Sequence, residues 1–314
     1  MSSNTVKANQ ASEITLPPKD LGWGTVLHFL IEKFSRIDAG IWRQRVADGK
    51  VHWFGGEVIH ANTAFLPSRR VCYYREVAAE PVIPFAHQII YQDEHIVVAC
   101  KPHFLPVTPG GEFVNECLLE RVKRDTGLQD VVAVHRLDKE TAGLVLFSVN
   151  SQSRPLYYQL FADGQIDKSY QAVARLSDAF QQLDLPQYWQ VKNRLEKSTP
   201  AFLMQQVEGE VNAFSSLSLA ERRAELGLFE LSPHTGKTHQ LRLHMLSLGC
   251  PILFDKYYPD LLPKEPGQQL DFAQPLQLLA KRLSFTDPAT GLEHQFESSR
   301  QLQSWPVSHG FKEN

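Results

Sequence analysis

The chain has 314 residues, 43% of them hydrophobic and 21% charged, with a formal net charge of −3. This composition excludes wholesale disorder and suits one large domain or a medium domain with a small companion. It also excludes recognition by bulk positive charge, though not a local basic groove.

Residues 1–20 carry no signal-peptide core and read as a flexible polar tail ending in Pro17 and Pro18. Residues 21–79 read as a small α/β unit. Val26, Leu27, Leu30, Ile31 and Phe34 recur at helical spacing, and Ile41, Trp42 and Val46 suggest a second short helix. Asp48-Gly49-Lys50 ends that helix before an extended stretch at 51–54, and Gly55-Gly56 makes a turn. Residues 80–86, with Pro81 and Pro84, read as a linker.

The remainder, 87–314, reads as one domain of α+β class built on a mainly antiparallel mixed sheet. Strands are expected at 89–91, 96–99, 131–134, 144–149, 168–175 and 227–232. Leu241, Met245 and Leu248 then mark a helix stopped by Gly249 and Pro251. The segments 177–200 and 207–223 read as insertions or connecting strands. Four scattered cysteines without a CxxC pair read as reduced thiols, and no apolar run approaches the roughly 18 residues of a membrane span. A soluble, cytoplasmic protein is expected.

Three segments could carry chemistry. The first runs from Val134 through His135, Arg136, Leu137, Asp138, Lys139, Glu140 and Thr141 to Leu144. Two apolar strands bracket a loop with an imidazole, a guanidinium and two carboxylates, which is either an ordinary charged hairpin loop or a fixed catalytic one. The second is Pro233-His234-Thr235-Gly236-Lys237-Thr238-His239-Gln240-Leu241-Arg242-Leu243-His244. A phosphate-loop reading fails, because the glycine required five residues before Gly236 falls on Leu231. A zinc site from His234, His239 and His244 is a poor reading, since five-residue spacing makes successive imidazoles diverge on a helix. What remains is a donor-rich loop entering a helix near Thr238, able to hold phosphate, with His239 and Arg242 on one face. The third segment is Lys168-Ser169-Tyr170, where a strand tyrosine alone says little.

Together these segments resemble the RNA pseudouridine synthases of the RluA type. His135-Arg136-Leu137-Asp138 with Thr141-Ala142-Gly143-Leu144 is similar to that family's active-site signature. Lys101-Pro102, the tyrosine strand from Lys168 to Val173, and the run from His234 to Met245 with Gly249-Cys250-Pro251-Ile252 and Asp255 resemble three further motifs in the family's order. The N-terminal unit is more loosely similar to a small S-four-like RNA-binding module. Ala142, Lys237 and Phe254 depart from the commoner serine, arginine and glycine.

The resemblance implies isomerisation of uridine in ribosomal or transfer RNA to pseudouridine. No cofactor, no metal, no DNA and no membrane is expected, and a monomer is the default expectation. Asp138 would be the catalytic carboxylate, as nucleophile or base, with Arg242 set against it. Tyr170 would stack on a flipped-out uracil, and its hydroxyl would assist proton removal. Arg136, His135, Lys237, Thr238 and His239 would contact RNA or brace the loop that does. The alternative is a catalytically inactive RNA-binding or ribosome-assembly factor of the same fold, against which the intact Asp138, Tyr170 and Arg242 weigh.

Overall fold

A computed structural model of the chain describes residues 5–263 and 270–305. It divides into two compact units, residues 1–81 with 110–115, and residues 82–109 with 116–314.

The first unit contains β1 (Val6–Lys7), β2 (Ser12–Thr15), α1 (Val26–Lys33), α2 (Ala39–Ala47), β3 (Val51–Trp53), β4 (Arg70–Tyr73) and β5 (Glu76–Val77). The Thr25 side chain caps α1 by accepting from the His28 amide, and Asp38 caps α2 by accepting from Gly40. Val26, Phe29 and Leu30 of α1 and Trp42 and Val46 of α2 are buried against Val51, Trp53 and Val71 of the antiparallel sheet β2–β4–β3. Both helices were legible in the sequence. Residues 6–16 of the expected flexible tail are instead structured: β1 pairs with β5, β2 pairs with β4, and Leu16 lies 2% exposed in this core. The polar composition concealed a two-residue period, in which Ser12 and Ile14 turn inward and Glu13 and Thr15 outward.

The second unit contains, in order, β6 (Gln88–Gln92), β7 (Ile96–Lys101), α3 (Leu118–Thr126), β8 (Val132–Ala133), β9 (Ala142–Ser148), α4 (Arg154–Ala162), β10 (Asp167–Arg175), α5 (Asp178–Gln181), β11 (Gln187–Lys197) and β12 (Met204–Val207). It continues with β13 (Ala213–Arg223), β14 (Leu226–Pro233), α6 (Gln240–Ser247), β15 (Leu278–Thr286) and β16 (Glu293–Glu297). The strands form one sheet, ordered β12-β11-β13-β14-β10-β15-β9-β7-β6, with β16 on β15 and β8 on β9. Its pairs are antiparallel except β9–β15, which is parallel. The expected α+β class with a mainly antiparallel sheet is therefore observed. The segments 177–200 and 207–223 supply the long strands β11 and β13.

Every residue of β9 is buried, as befits a strand covered on both faces. Gly143 sits at φ +117° where β9 runs beside β15, and a Cβ there would lie 2.2 Å from the Ala280 carbonyl oxygen. Only glycine permits this approach. Helix α6 is buried on two sides rather than along the single stripe expected. Leu241 and Met245 join Ala172, Leu217 and Phe229, whereas Leu243 joins Leu195, Ala213 and Tyr258. The cysteines are free and buried, and no helix among the described residues is long and apolar enough to cross a membrane.

Candidate active site

The loop between β8 and β9 carries Asp138. Its own carbonyl accepts the Thr141 amide at 3.1 Å, closing a tight turn. Beneath the loop, the fully buried Lys101 at the end of β7 donates to the carbonyls of Pro102 (3.1 Å), Leu105 (2.7 Å) and Lys139 (3.0 Å). Burial lowers its pKa to about 7, against the opposing pull of Glu140 and Asp138. Lys101 thus ties the residue next to Asp138 to the loop that follows β7. His103 adds a second tie, its Nδ1 lying 2.7 Å from the Glu140 carbonyl.

The Asp138 side chain is 27% exposed and faces two groups from the start of α6. Arg242 Nη1 lies 3.5 Å from Asp138 Oδ2, and His239 Nε2 lies 3.9 Å from the same oxygen. Arg242 is itself 1% exposed, and its Nε and Nη2 grip both oxygens of the equally buried Asp255. The Asp255 carboxylate also accepts the amides of Tyr257 (2.8 Å) and Tyr258 (3.1 Å), and the guanidinium lies 4.6 Å from the Tyr257 ring centre. The bidentate pairing fixes the guanidinium plane and raises the Arg242 pKa in spite of burial, leaving one nitrogen aimed at Asp138.

Tyr170 reaches the same place from β10. The register of β10 against β15 shifts between Ser169 and Tyr170, a bulge of the kind that re-aims a side chain. Its ring packs against the cluster under α6. Burial, with the charge of Asp138 second, pushes the phenol pKa up, so the hydroxyl is a donor at neutral pH.

The remaining residues singled out in the sequence divide. Arg136 is exposed, with no hydrogen bond or ion pair among the described residues. Lys237 and Thr238 are exposed on the loop before α6. Gln240 orders that loop: its Oε1 accepts from Thr235 Oγ1 (2.7 Å) and the Lys237 amide (3.0 Å), and its Nε2 donates to Phe214 O and Ser215 Oγ.

His135 lies half-buried under the loop. Its ring stacks on Phe161 of α4 at 4.7 Å, Nε2 accepts the Leu146 amide at 3.1 Å, and burial holds its pKa down at about 3. It braces the base of the loop. His239 is likewise buried, 8% exposed, with Nδ1 2.8 Å from the Tyr258 hydroxyl. The three histidines at five-residue spacing point to different partners: His234 to Ser216, His239 to Tyr258 and Asp138, His244 to Asn193.

Sequence reasoning missed the roles of Lys101, Asp255 and Tyr258. A signal existed for Asp255: an arginine between two leucines of a buried helix needs a carboxylate, and Asp255 is the first acidic residue after it. Nothing comparable marked Tyr258, whose contact with His239 depends on the turn after α6.

Residues 95–247, which hold Asp138, Tyr170, His239 and Arg242, match the family model described as RNA pseudouridylate synthase. The chain is 34% identical over 220 residues to the dual-specificity RNA pseudouridine synthase RluA of Salmonella typhimurium, covering 67% of this chain and 91% of that one. This chain belongs to the RluA-type RNA pseudouridine synthase family. Another member, tRNA pseudouridine synthase C of Vibrio cholerae, is 31% identical over 217 residues, covering 65% of this chain and 86% of that one. The fold is also that of the solved human RNA pseudouridylate synthase domain containing 4, with TM-score 0.51 and 23% identity over 68% of this chain and 88% of that one.

Proposed function

We propose that this RluA-type synthase isomerises uridine in ribosomal or transfer RNA, working as a cytoplasmic monomer with Asp138 as the carboxylate at the ribose. The observation that carries the assignment is the convergence on one carboxylate of groups from three separate segments. These are the β8–β9 loop, the Tyr170 bulge in β10, and the start of α6 with His239 and Arg242. The reaction breaks the bond from ribose C1′ to uracil N1, turns the base, and joins C1′ to C5. The C5 proton leaves and N1 gains one, so neither redox partner nor energy source is required.

Asp138 acts at the ribose as nucleophile or base, while Arg242 holds its rotamer and its charge. A stacked base cannot reach this site, so the uridine flips out and its uracil lies against the Tyr170 ring. Arg136, exposed two residues before Asp138, fills the vacated space or meets a phosphate. Relatives named as a dual-specificity RNA pseudouridine synthase and as a tRNA pseudouridine synthase support RNA as the substrate. Mapping pseudouridine in total RNA from cells with and without the gene tests the reading. Loss of a defined site, restored by the wild-type gene, is the expected result; an unchanged map overturns it.

Phosphate affinity is assigned to Lys237, Thr238 and Arg136, and to residues 21–79 as an S-four-like module. In that unit Arg69 covers the Trp53 ring at 4.2 Å and Arg70 the exposed Phe54 ring at 3.7 Å, a pairing of cation and aromatic suited to nucleic acid. Binding to bulk RNA is expected to weaken steeply with salt. Lys237→Ala should make the log–log salt dependence shallower by about one counterion. A salt-insensitive affinity, measured by filter binding across a salt series, counts against the electrostatic assignment.

A further inference from the structure

We propose that Asp93, Asp287 and His294 bind one divalent transition ion of the zinc class, which ties two hairpins of the sheet together and stands apart from the catalytic centre. The three side chains come from separate places in the chain. Asp93 lies in the turn between β6 and β7, Asp287 in the turn after β15, and His294 on β16. One ligand atom of each lies within 4.8 Å of the other two.

Each aspartate uses one oxygen to close its own turn. Asp93 Oδ1 accepts the amides of His95 and Ile96, both at 2.8 Å. Asp287 Oδ1 accepts those of Ala289 (2.7 Å) and Thr290 (3.1 Å). Among the described residues, the second oxygens meet only phenols and the imidazole. Asp93 Oδ2 accepts from the Tyr91 hydroxyl at 2.9 Å. Asp287 Oδ2 accepts from Tyr157 of α4 at 2.9 Å and faces His294 Nε2 at 3.6 Å.

That last separation decides the reading. It is too long for a hydrogen bond, and Nε2 is buried without a hydrogen-bond partner, on a side chain 11% exposed. Two ligands of a tetrahedral zinc ion, each about 2.1 Å from it, stand about 3.4 Å apart. The spacing is thus that of two atoms sharing an ion. The imidazole is held in this direction by its surroundings, stacked on Phe296 at 5.3 Å, with the Tyr91 ring at 5.1 Å and the Phe285 ring at 5.6 Å.

Charge points to the same occupant. The Asp287 side chain is fully buried, and an ionised carboxylate there needs a compensating cation. Among the described residues no lysine or arginine pairs with Asp93 or Asp287. The two phenols add hydrogen bonds and no positive charge. The bond to Asp93 raises the Tyr91 pKa, and burial followed by the bond to Asp287 raises that of Tyr157. A divalent ion on a neutral imidazole balances both carboxylates. The imidazole also selects the ion: magnesium and calcium prefer all-oxygen sets, whereas nitrogen with carboxylate suits zinc and its neighbours.

Strand β7 separates this place from the catalytic loop. Ile96 stands beside Asp93 and Lys101 beneath the Asp138 loop, about 17 Å of strand apart. The ion is therefore structural. It adds its binding free energy to the folded state alone, because the unfolded chain does not bring residues 93, 287 and 294 together. The expectation that the isomerisation needs no metal is untouched.

The full chain, stripped by a chelator and dialysed, is equilibrated with zinc and desalted for metal analysis. One zinc per chain is expected. The thermal midpoint should rise by about 5–10 °C when free zinc is roughly a hundredfold above its dissociation constant. His294→Gln and Asp93→Asn should lose both the bound zinc and the rise. Asp93→Asn keeps an oxygen for the His95 and Ile96 amides, so its metal-free far-ultraviolet spectrum should match that of the wild type. Either variant decides the matter if it melts cooperatively without metal. Cobalt in place of zinc should show ligand-field absorption without the thiolate band that a cysteine ligand adds, and magnesium should shift nothing.

A wild-type midpoint indifferent to zinc overturns the proposal and leaves His294 and Asp287 as a plain ion pair. Zinc held equally by the wild type and both variants overturns it as well, marking an adventitious ion only. A thiolate band with cobalt, or a shift that magnesium matches, has the same consequence.

Discussion

Asp138→Asn is expected to lower pseudouridine formation by about 10⁴-fold or more, at or beyond the upper end of what a positioned acid–base group supplies. The substitution keeps size and shape and removes only the charge. It should leave folding intact for a structural reason: Arg242 keeps its bidentate pairing with Asp255, and the turn is closed by the Asp138 carbonyl and Thr141, not by the side chain. With Asp138 more than a quarter exposed, the stability change should stay within about 1 kcal/mol. Nucleoside analysis of bulk RNA treated with each protein, alongside thermal melts, checks both halves. A well-folded variant that forms pseudouridine normally ends the assignment of Asp138.

Arg242→Met should be worse, because it fails twice. The Asp255 side chain is 1% exposed, and removing its partner strands a buried carboxylate. Breaking such a pair costs about 3–5 kcal/mol, readable as a lower urea midpoint. Activity should vanish as well, since Asp138 loses the guanidinium that holds it. The two effects can be separated. Adding Asp255→Asn removes the stranded charge while keeping an acceptor for the Tyr257 and Tyr258 amides. The double variant should recover most of the lost stability and stay inactive. Recovery of turnover would show that Arg242 serves only the fold. Arg242→Lys should not substitute, because a point charge cannot grip one carboxylate with two nitrogens and face another with a third.

The readable parts of this molecule are those in which local sequence and final environment agree. Helices α1 and α2 announced themselves by spacing and breakers. The strands around Asp138 and Tyr170 did so by apolar runs, and Arg242 was placed against Asp138 through the family resemblance. What stayed hidden shares one cause: contacts made across long separations leave no local period. Leu16 and Ile14 are core residues in a stretch whose composition is polar. His135 and His239 lie in donor-rich segments, yet Phe161 and Tyr258, far along the chain, decide where their nitrogens point. The burial of Lys101 was equally hidden, because its acceptors are carbonyls, which any residue supplies. Helix α6 misled in the opposite sense: a clean stripe at 241, 245 and 248 suggested one buried face, while the neighbouring strands bury two.

The parallel pairing of β15 bears on when the enzyme can first work during its synthesis. Strands β6 to β9, with the Asp138 loop, lie on one side of β15, and β10 to β14, with Tyr170 and the lead into α6, lie on the other. Within the sheet, β15 is the seam between these halves, and it is made after everything it joins. A nascent chain that has not yet released residues 278–286 from the ribosome holds each half of the site with an open strand edge at β9 and β10. Such edges favour mispairing with other chains. Catalytic competence therefore arrives in one late step, when the seam closes, and a polypeptide stalled short of it is exposed to aggregation without being able to touch RNA productively.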